Sequence, residues 1–317
     1  MLEYTMKLLD IVKKLVFLAP CRCGRTFYSC EISEFSNKIS LKFVPTDKFL
    51  ILDPRREDEA FMPDHFQSFE KYEHLGLVVG NIEYFLKSNQ INYQVKKEDE
   101  FYELEIKSNN LDIETDLKLH QIFKHAHRSF DTDQAVDQET FNILSDKINN
   151  FLSTHDGYNV MVDDKLIIKK LHALSIYWDM MGEKNGYVKA PQMNSSLVIT
   201  VPPKNFDSNY YFDMGRLYAD LGLTAISRNY QIGFVNVFNY LDPRVRRVQA
   251  ILHLDFDQYT IDTVVPRSFL CIGKALDPSK PFNWIAEKNN YIDSTLPSCI
   301  LVTKDFVTVN KVENEIV

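Results

Sequence analysis

Two stretches of this chain follow one pattern, and that repetition limits the possible folds more than any other feature. "GLVVGNIEYFLKSNQINYQV" begins at Gly76 and "GRLYADLGLTAISRNYQIGF" begins at Gly215. In each, a Gly opens a long helix, a polar residue (Asn81 or Asp220) stands five positions on, and Ile82 or Leu221 follows. Fourteen residues after the Gly comes a further polar residue, Gln90 or Asn229, where the helix is expected to end. A supersecondary unit used twice predicts two related half-domains, 1–112 and 113–317.

The segments around this repeat read as mixed structure. Leu8, Leu9, Val12, Leu15 and Val16 recur at helical spacing with Asp10, Lys13 and Lys14 between them, so "MLEYTMKLLDIVKKLVFLAP" is expected to be a first helix, not a secretory leader. "RTFYSCEI", "KISLKFVP" and "KFLILDP" are rich in β-branched and aromatic residues and read as strands or a hairpin. A helix over about 65–89 and two strands around the charged turn of "NYQVKKEDEFYELEIK" come next. Helices are then expected over 113–127, 138–152, 163–180 and 208–228, the second of them capped by Asp137. "SLVITVPP", "VQAILHLDF" and "SFLCIGKA" read as strands, and the last twenty residues as extended. Strands and helices without regular βαβ alternation predict an α+β fold.

Charge and composition remove several function classes. The 317 residues carry a net charge of −8, with 45% hydrophobic and 25% charged side chains, as in a globular chain with a sizeable core. Acidic balance and the lack of a basic run argue against a nucleic-acid partner. No apolar stretch reaches the roughly 18 residues that a bilayer span needs. Three of the five cysteines crowd into "CRCGRTFYSC", a spacing that fits zinc poorly, so reduced thiols in a cytoplasmic protein are expected and no metal is assigned.

One cationic cluster stands out against the acidic background. "FKHAHRSFDTD" gathers Lys124, His125, His127 and Arg128 into five positions at the close of an amphipathic segment. Such a cluster suits an anionic ligand, with Arg making paired contacts to phosphate and Lys acting as a point charge. The same residues in a last helical turn would also favour the negative end of the helix dipole, by about 0.3–1 kcal/mol each. His125 and His127 lie two apart and face different ways on a helix, which disfavours a shared metal. Arg216 reads as a surface charge, and Gly233 either as a close backbone approach or as a bulge or turn glycine.

These residues carry a resemblance to the FMN-dependent nitroreductases. That family opens with Arg-Arg-Ser-x-Arg-x-Phe, onto which Lys124, His125, Ala126, His127, Arg128, Ser129 and Phe130 align. Its central helix is similar to the segment from Gly215 through Leu221, Leu223 and Ala225, with Asn229 where the family has Gly, and Ile272-Gly273 answers to its last core strand. The N-terminal half resembles the doubled, Acg-type flavin-binding members in Ala19-Pro20-Cys21, "GRTFY", Asp53-Pro54 and Gly76 with Asn81. Two departures accompany it: "GRTFY" has neither the Asn, the Gln nor the Trp of the doubled signature, and His125 replaces an arginine.

The resemblance implies a mixed sheet flanked by helices in two pseudo-symmetric halves, the N-terminal one degenerate. It implies FMN held by Lys124, His125 and Arg128, by the backbone at Gly233, and by a C-terminal basic residue at Lys280 or, as loosely, Lys274. The implied activity is an oxidoreductase that passes electrons between NAD(P)H and a small conjugated substrate through flavin N5. The departures leave open a flavin-sequestering protein or a pseudo-enzyme. The implied assembly is a monomer with an internal pseudo-dimer, or a homodimer.

Overall fold

A computed structural model describes residues 4–19, 28–35, 37–45, 64–107, 112–124, 136–155, 158–162, 196–201, 207–235, 268–275 and 300–303. The fold is α+β, and the chain divides into two units. The first comprises residues 1–124, 211–223 and 283–317; the second comprises 125–210 and 224–282.

Strand β1 (Tyr4–Lys7) leads directly into helix α1 (Leu8–Phe17) and pairs antiparallel with β6 (Asp112–Thr115). Both strands fall where helix is expected from periodicity. Ile113 is opposite Met6 in this ladder, so it leaves the stripe assigned to a helix over 113–127. Apolar runs this short carry no reliable period, and pairing between distant segments decides their state.

The first unit is built on a five-stranded sheet of β2 (Tyr28–Phe35), β3 (Lys38–Pro45), β4 (Tyr93–Lys97), β5 (Tyr102–Lys107) and β11 (Ile300–Thr303). The strands lie in the order β11-β2-β3-β5-β4. Alternation sends Tyr28, Cys30, Ile32, Ile39, Leu41, Phe43, Tyr102, Leu104 and Ile106 inward. They meet the stripe of α1 (Ile11, Val12, Leu15, Val16) and that of α2 (Asp64–Ser88), chiefly Val78, Val79, Ile82, Phe85 and Leu86. All neighbours in this sheet are antiparallel except β11, which adds parallel to β2.

The second unit has a sheet of β7 (Tyr158–Val162), β8 (Ser196–Val201), β9 (Gln231–Val235) and β10 (Ser268–Gly273). Its order is β7-β8-β10-β9, antiparallel throughout. Strand β7 has no counterpart among the sequence expectations. Helix α4 (Gln138–Leu152) precedes it and buries Thr140, Leu144 and Ile148. Asp137 caps α4 as expected, accepting from the Thr140 backbone N–H at 2.8 Å and its hydroxyl at 2.9 Å. The Tyr230 hydroxyl donates to the same carboxylate at 2.7 Å. These bonds, the Thr140 N–H first, hold the Asp137 carboxyl down at about 2.

The two sheets share one topology. In each, leaving β11 aside, two antiparallel strands, a long helix and two further strands follow in this sequence order, and those four strands lie in the order first-second-fourth-third. The helices are α2 and α5 (Ser208–Ser227). Their ends agree closely. Gln90 (φ 56°) and Asn229 (φ 64°) both take the left-handed conformation expected at the helix stop. The next N–H in each case reaches back five residues, Ile91 to the Leu86 carbonyl at 2.9 Å and Tyr230 to the Ala225 carbonyl at 3.0 Å.

Gly76 and Gly215 do not open these helices; each lies inside one, at the point where the two cross. A Cβ built on Gly76 would stand 2.0 Å from the Phe212 carbonyl oxygen and 2.9 Å from Gly215 Cα. One built on Gly215 would stand 2.0 Å from the Glu73 carbonyl oxygen. The contacts are reciprocal, because Phe212 precedes Gly215 by as many residues as Glu73 precedes Gly76. Alanine inside a helix normally stabilises by about 1 kcal/mol relative to glycine. Here Gly76→Ala and Gly215→Ala are each expected to destabilise by about 1–3 kcal/mol, because backbone must move apart. Urea melts of the two variants check this, and a rise in stability for either would contradict the crossing.

Candidate functional site

The cationic segment begins at the end of a short helix. Helix α3 (Lys118–Lys124) starts where Asp116 Oδ1 accepts the Lys118 N–H at 2.8 Å, five residues later than periodicity alone predicts. Its buried side chains are His120 and Phe123, and Lys124 closes it, half-buried in the last turn. Lys124 therefore meets the structural condition of both readings, a charge at a helix carboxyl end and the first cation of the cluster. His125, Arg128 and Lys280 lie outside the described residues.

His120 is the anchor of α3, and nothing in the sequence pattern singles it out. It is 4% exposed, and its Nδ1 lies 2.7 Å from Asn81 Oδ1. Asn81, fully buried on α2, donates through Nδ2 to the Leu15 carbonyl of α1 at 2.8 Å. With that amide nitrogen committed as donor, Asn81 Oδ1 accepts and His120 Nδ1 carries the proton. Tyr84 and Phe85 meet the imidazole edge-on at centroid distances of 6.2 and 6.1 Å. Burial lowers the His120 pKa to about 4, so the ring is neutral at pH 7. One chain of bonds thus ties α1, α2 and α3 together.

Gly233 lies in the middle of β9, opposite Cys271 of β10 in an unbroken register from Gln231 to Val235. Neither a bulge nor a turn accounts for it. Lys274 follows β10, donates to the Asn229 carbonyl, and places its ammonium 4.2 Å from the Tyr230 ring centroid. In this position it closes the carboxyl end of α5.

Arg216 corrects the sequence expectation of a surface charge. It forms a paired bridge to Glu83 of α2, Nε to Oε2 at 2.6 Å and Nη2 to Oε1 at 2.7 Å, while Nη1 reaches Asp213 at 2.8 Å. Glu83 is only 3% exposed and Asp213 also pairs with Lys97. Burial opposes the Arg216 charge, but Glu83 and Asp213 together more than offset it, and the guanidinium pKa is raised. The Tyr93 hydroxyl, half-buried beside the Glu83 carboxylate, is held well above its ordinary range by desolvation and by that charge, and stays protonated. Phe212 underlies this cluster, stacked on Tyr102 at 4.1 Å. The sequence signal for Arg216 is its place one residue after the crossing glycine.

Among the described residues, no group of three His, Cys, Asp or Glu side chains could hold a metal ion, and no helix is long and apolar enough to cross a membrane. Cys30 and Cys271 are buried.

Comparison with solved structures returns nitroreductases. An FMN-dependent nitroreductase from Clostridium difficile R20291 matches at 14% identity, over 53% of this chain and 94% of its own, with a TM-score of 0.35. A nitroreductase with bound FMN from Bacteroides fragilis NCTC 9343 matches at 14% identity, over 56% and 98%, at 0.37. Another with bound FMN, from Desulfitobacterium hafniense DCB-2, matches at 12%, over 56% and 100%, at 0.39. At these identities and scores the likeness transfers neither a residue role nor an activity. No protein-family model and no curated protein sequence matches the chain.

Proposed function

We propose that this chain is an FMN-binding oxidoreductase of nitroreductase type, acting on a small conjugated substrate with NAD(P)H as hydride source. The observation that carries the reading is the cationic segment opened by Lys124 at the end of α3, aligned with the family's Arg-Arg-Ser-x-Arg-x-Phe. The donor chemistry fits the group: a phosphate dianion suits a lysine point charge beside an arginine capable of paired contacts. Lys124, His125 and Arg128 would hold the phosphate and ribityl chain, with Lys280 as a further cation and Gly233 allowing close approach of backbone. When bound, the flavin supplies the hydride-carrying N5, and the protein supplies binding, orientation and charge.

We further read the chain as two halves, 1–112 and 113–317, descended from one duplicated unit. The shared strand order and the reciprocal crossing at Gly76 and Gly215 support this. A monomer containing its own pseudo-dimer is the assembly that follows, in a cytoplasmic setting, where buried cysteines such as Cys30 and Cys271 stay reduced.

Freshly purified protein is expected to be yellow, with flavin absorbance bands that bleach on addition of NADH or NADPH. FMN at 100 times its Kd should add about 2.7 kcal/mol of stability. A colourless protein whose melting temperature ignores excess FMN would overturn the reading and leave a pseudo-enzyme. His125 in place of arginine, and the missing Asn, Gln and Trp in "GRTFY", favour one second reading, a flavin-sequestering protein without turnover. Its signature is bound FMN that neither nicotinamide reduces.

A further inference from the structure

We propose that the Glu83–Arg216 pair decides which helices meet at the glycine crossing, holding α2 to α5 of its own chain and barring it from α2 of a second copy. The inference rests on the reading of the chain as a duplicated unit that pairs within itself. Counted from the crossing glycines, Glu73 answers to Phe212, Leu77 to Arg216, Gly80 to Ala219 and Glu83 to Gly222. Under that equivalence the backbone contacts at Gly76 and Gly215 are reciprocal, as across a two-fold axis. Two copies of α2, or two copies of α5, could make the same backbone contacts. The glycines therefore do not choose among the three pairings.

Two side-chain positions do choose. Gly80 and Ala219 are counterparts that meet each other, and a Cβ built on Gly80 would stand 2.7 Å from Ala219 Cβ. A pair of α5 helices puts alanine on alanine here and forces the backbones apart. A pair of α2 helices puts glycine on glycine and fits. Sterics thus leave α2 of a second copy as the competitor of α5.

Charge removes that competitor. Glu83 meets Arg216 on one arm of the crossing, whereas the counterpart of that pair, on the other arm, is Gly222 with Leu77. Two α2 helices would set Glu83 against Leu77 on both arms. Glu83 is 3% exposed and Leu77 fully buried, so each arm would hold a carboxylate without a cation. A buried charge left unpaired is penalised far more than an intact buried pair gains, so the pair discriminates between partners more strongly than it stabilises either.

The test is the mass of the full chain in solution, measured by size-exclusion chromatography with light scattering over a wide range of concentration. Wild type is expected to stay monomeric. Glu83→Met and Arg216→Met break the same bridge, yet only Glu83→Met is expected to dimerise, with self-association at least about 100-fold tighter than in wild type. Arg216→Met keeps the carboxylate that bars two α2 helices from pairing, and is expected to remain a monomer of lowered stability. Leu77→Arg combined with Arg216→Met moves the cation from α5 to α2, gives Glu83 a partner on both arms, and is expected to dimerise as well. This variant carries the test should Glu83→Met give no cooperative melt. A monomeric Glu83→Met, or a monomeric cation-transfer variant in its place, overturns the selectivity, as does equal dimerisation of Glu83→Met and Arg216→Met. A wild type that is itself dimeric overturns instead the reading of the chain as its own pseudo-dimer.

Discussion

Arg216→Met is expected to destabilise the protein by about 3–5 kcal/mol, because it strands the Glu83 carboxylate in the interior without its cation. Glu83 is 3% exposed and takes two of the three guanidinium bonds, so water cannot replace the lost charge without opening the contact between α2 and α5. The loss should come mainly from the uncompensated carboxylate and not from the missing attraction. Adding Glu83→Gln to Arg216→Met removes that charge, retains an acceptor for the Tyr93 hydroxyl, and is expected to recover more than half the stability. Denaturant titrations of both single variants and the double variant measure the coupling. A cost under about 1 kcal/mol for Arg216→Met alone would place the bridge with ordinary surface pairs.

Acidification from pH 7 to pH 5 is expected to remove about 2 kcal/mol through His120 alone. The ring titrates near 6.5 when unfolded and at about 4 when folded, because burial penalises the imidazolium. The folded pKa is the lower of the two, so the proton binds the unfolded chain first. The His120 contribution is therefore fully present above pH 6.5 and declines as pH falls. It reaches a total loss of about 3 kcal/mol near pH 4. His120→Asn has no titrating ring and should show a flatter profile over this window, with carboxylate effects common to both proteins. Parallel stability curves for wild type and His120→Asn between pH 7 and 5 would show that the folded imidazole accepts protons as readily as the unfolded one.

Elements whose residues carry their own local chemistry are legible in the sequence. Helix α4 begins and ends where its stripe does, and Asp137 caps it. Helices α2 and α5 stop at Gln90 and Asn229, polar side chains that the repeat marks as stop positions. The α+β class follows from the same patterns. Lys124 is legible as a charge in a last helical turn, since a helix end and a cationic run are both written in consecutive residues.

Other features depend on partners far apart in the chain. Ile113 fits a helical stripe and a strand equally well, and its place opposite Met6 selects the strand. Arg216 resembles any solvated helix charge until Glu83, 133 residues away, is brought within 2.6 Å. His120 is one histidine among eight, and its meaning comes from Asn81, 39 residues earlier. Local conformational preference acts over a few residues, so residue order suffices to say where the long helices run and how they end. Which glycines touch, which charges are buried and which histidine holds α3 are settled by packing between distant segments. Close backbone approach, desolvation and directional bonding exist only between segments that folding has already brought together.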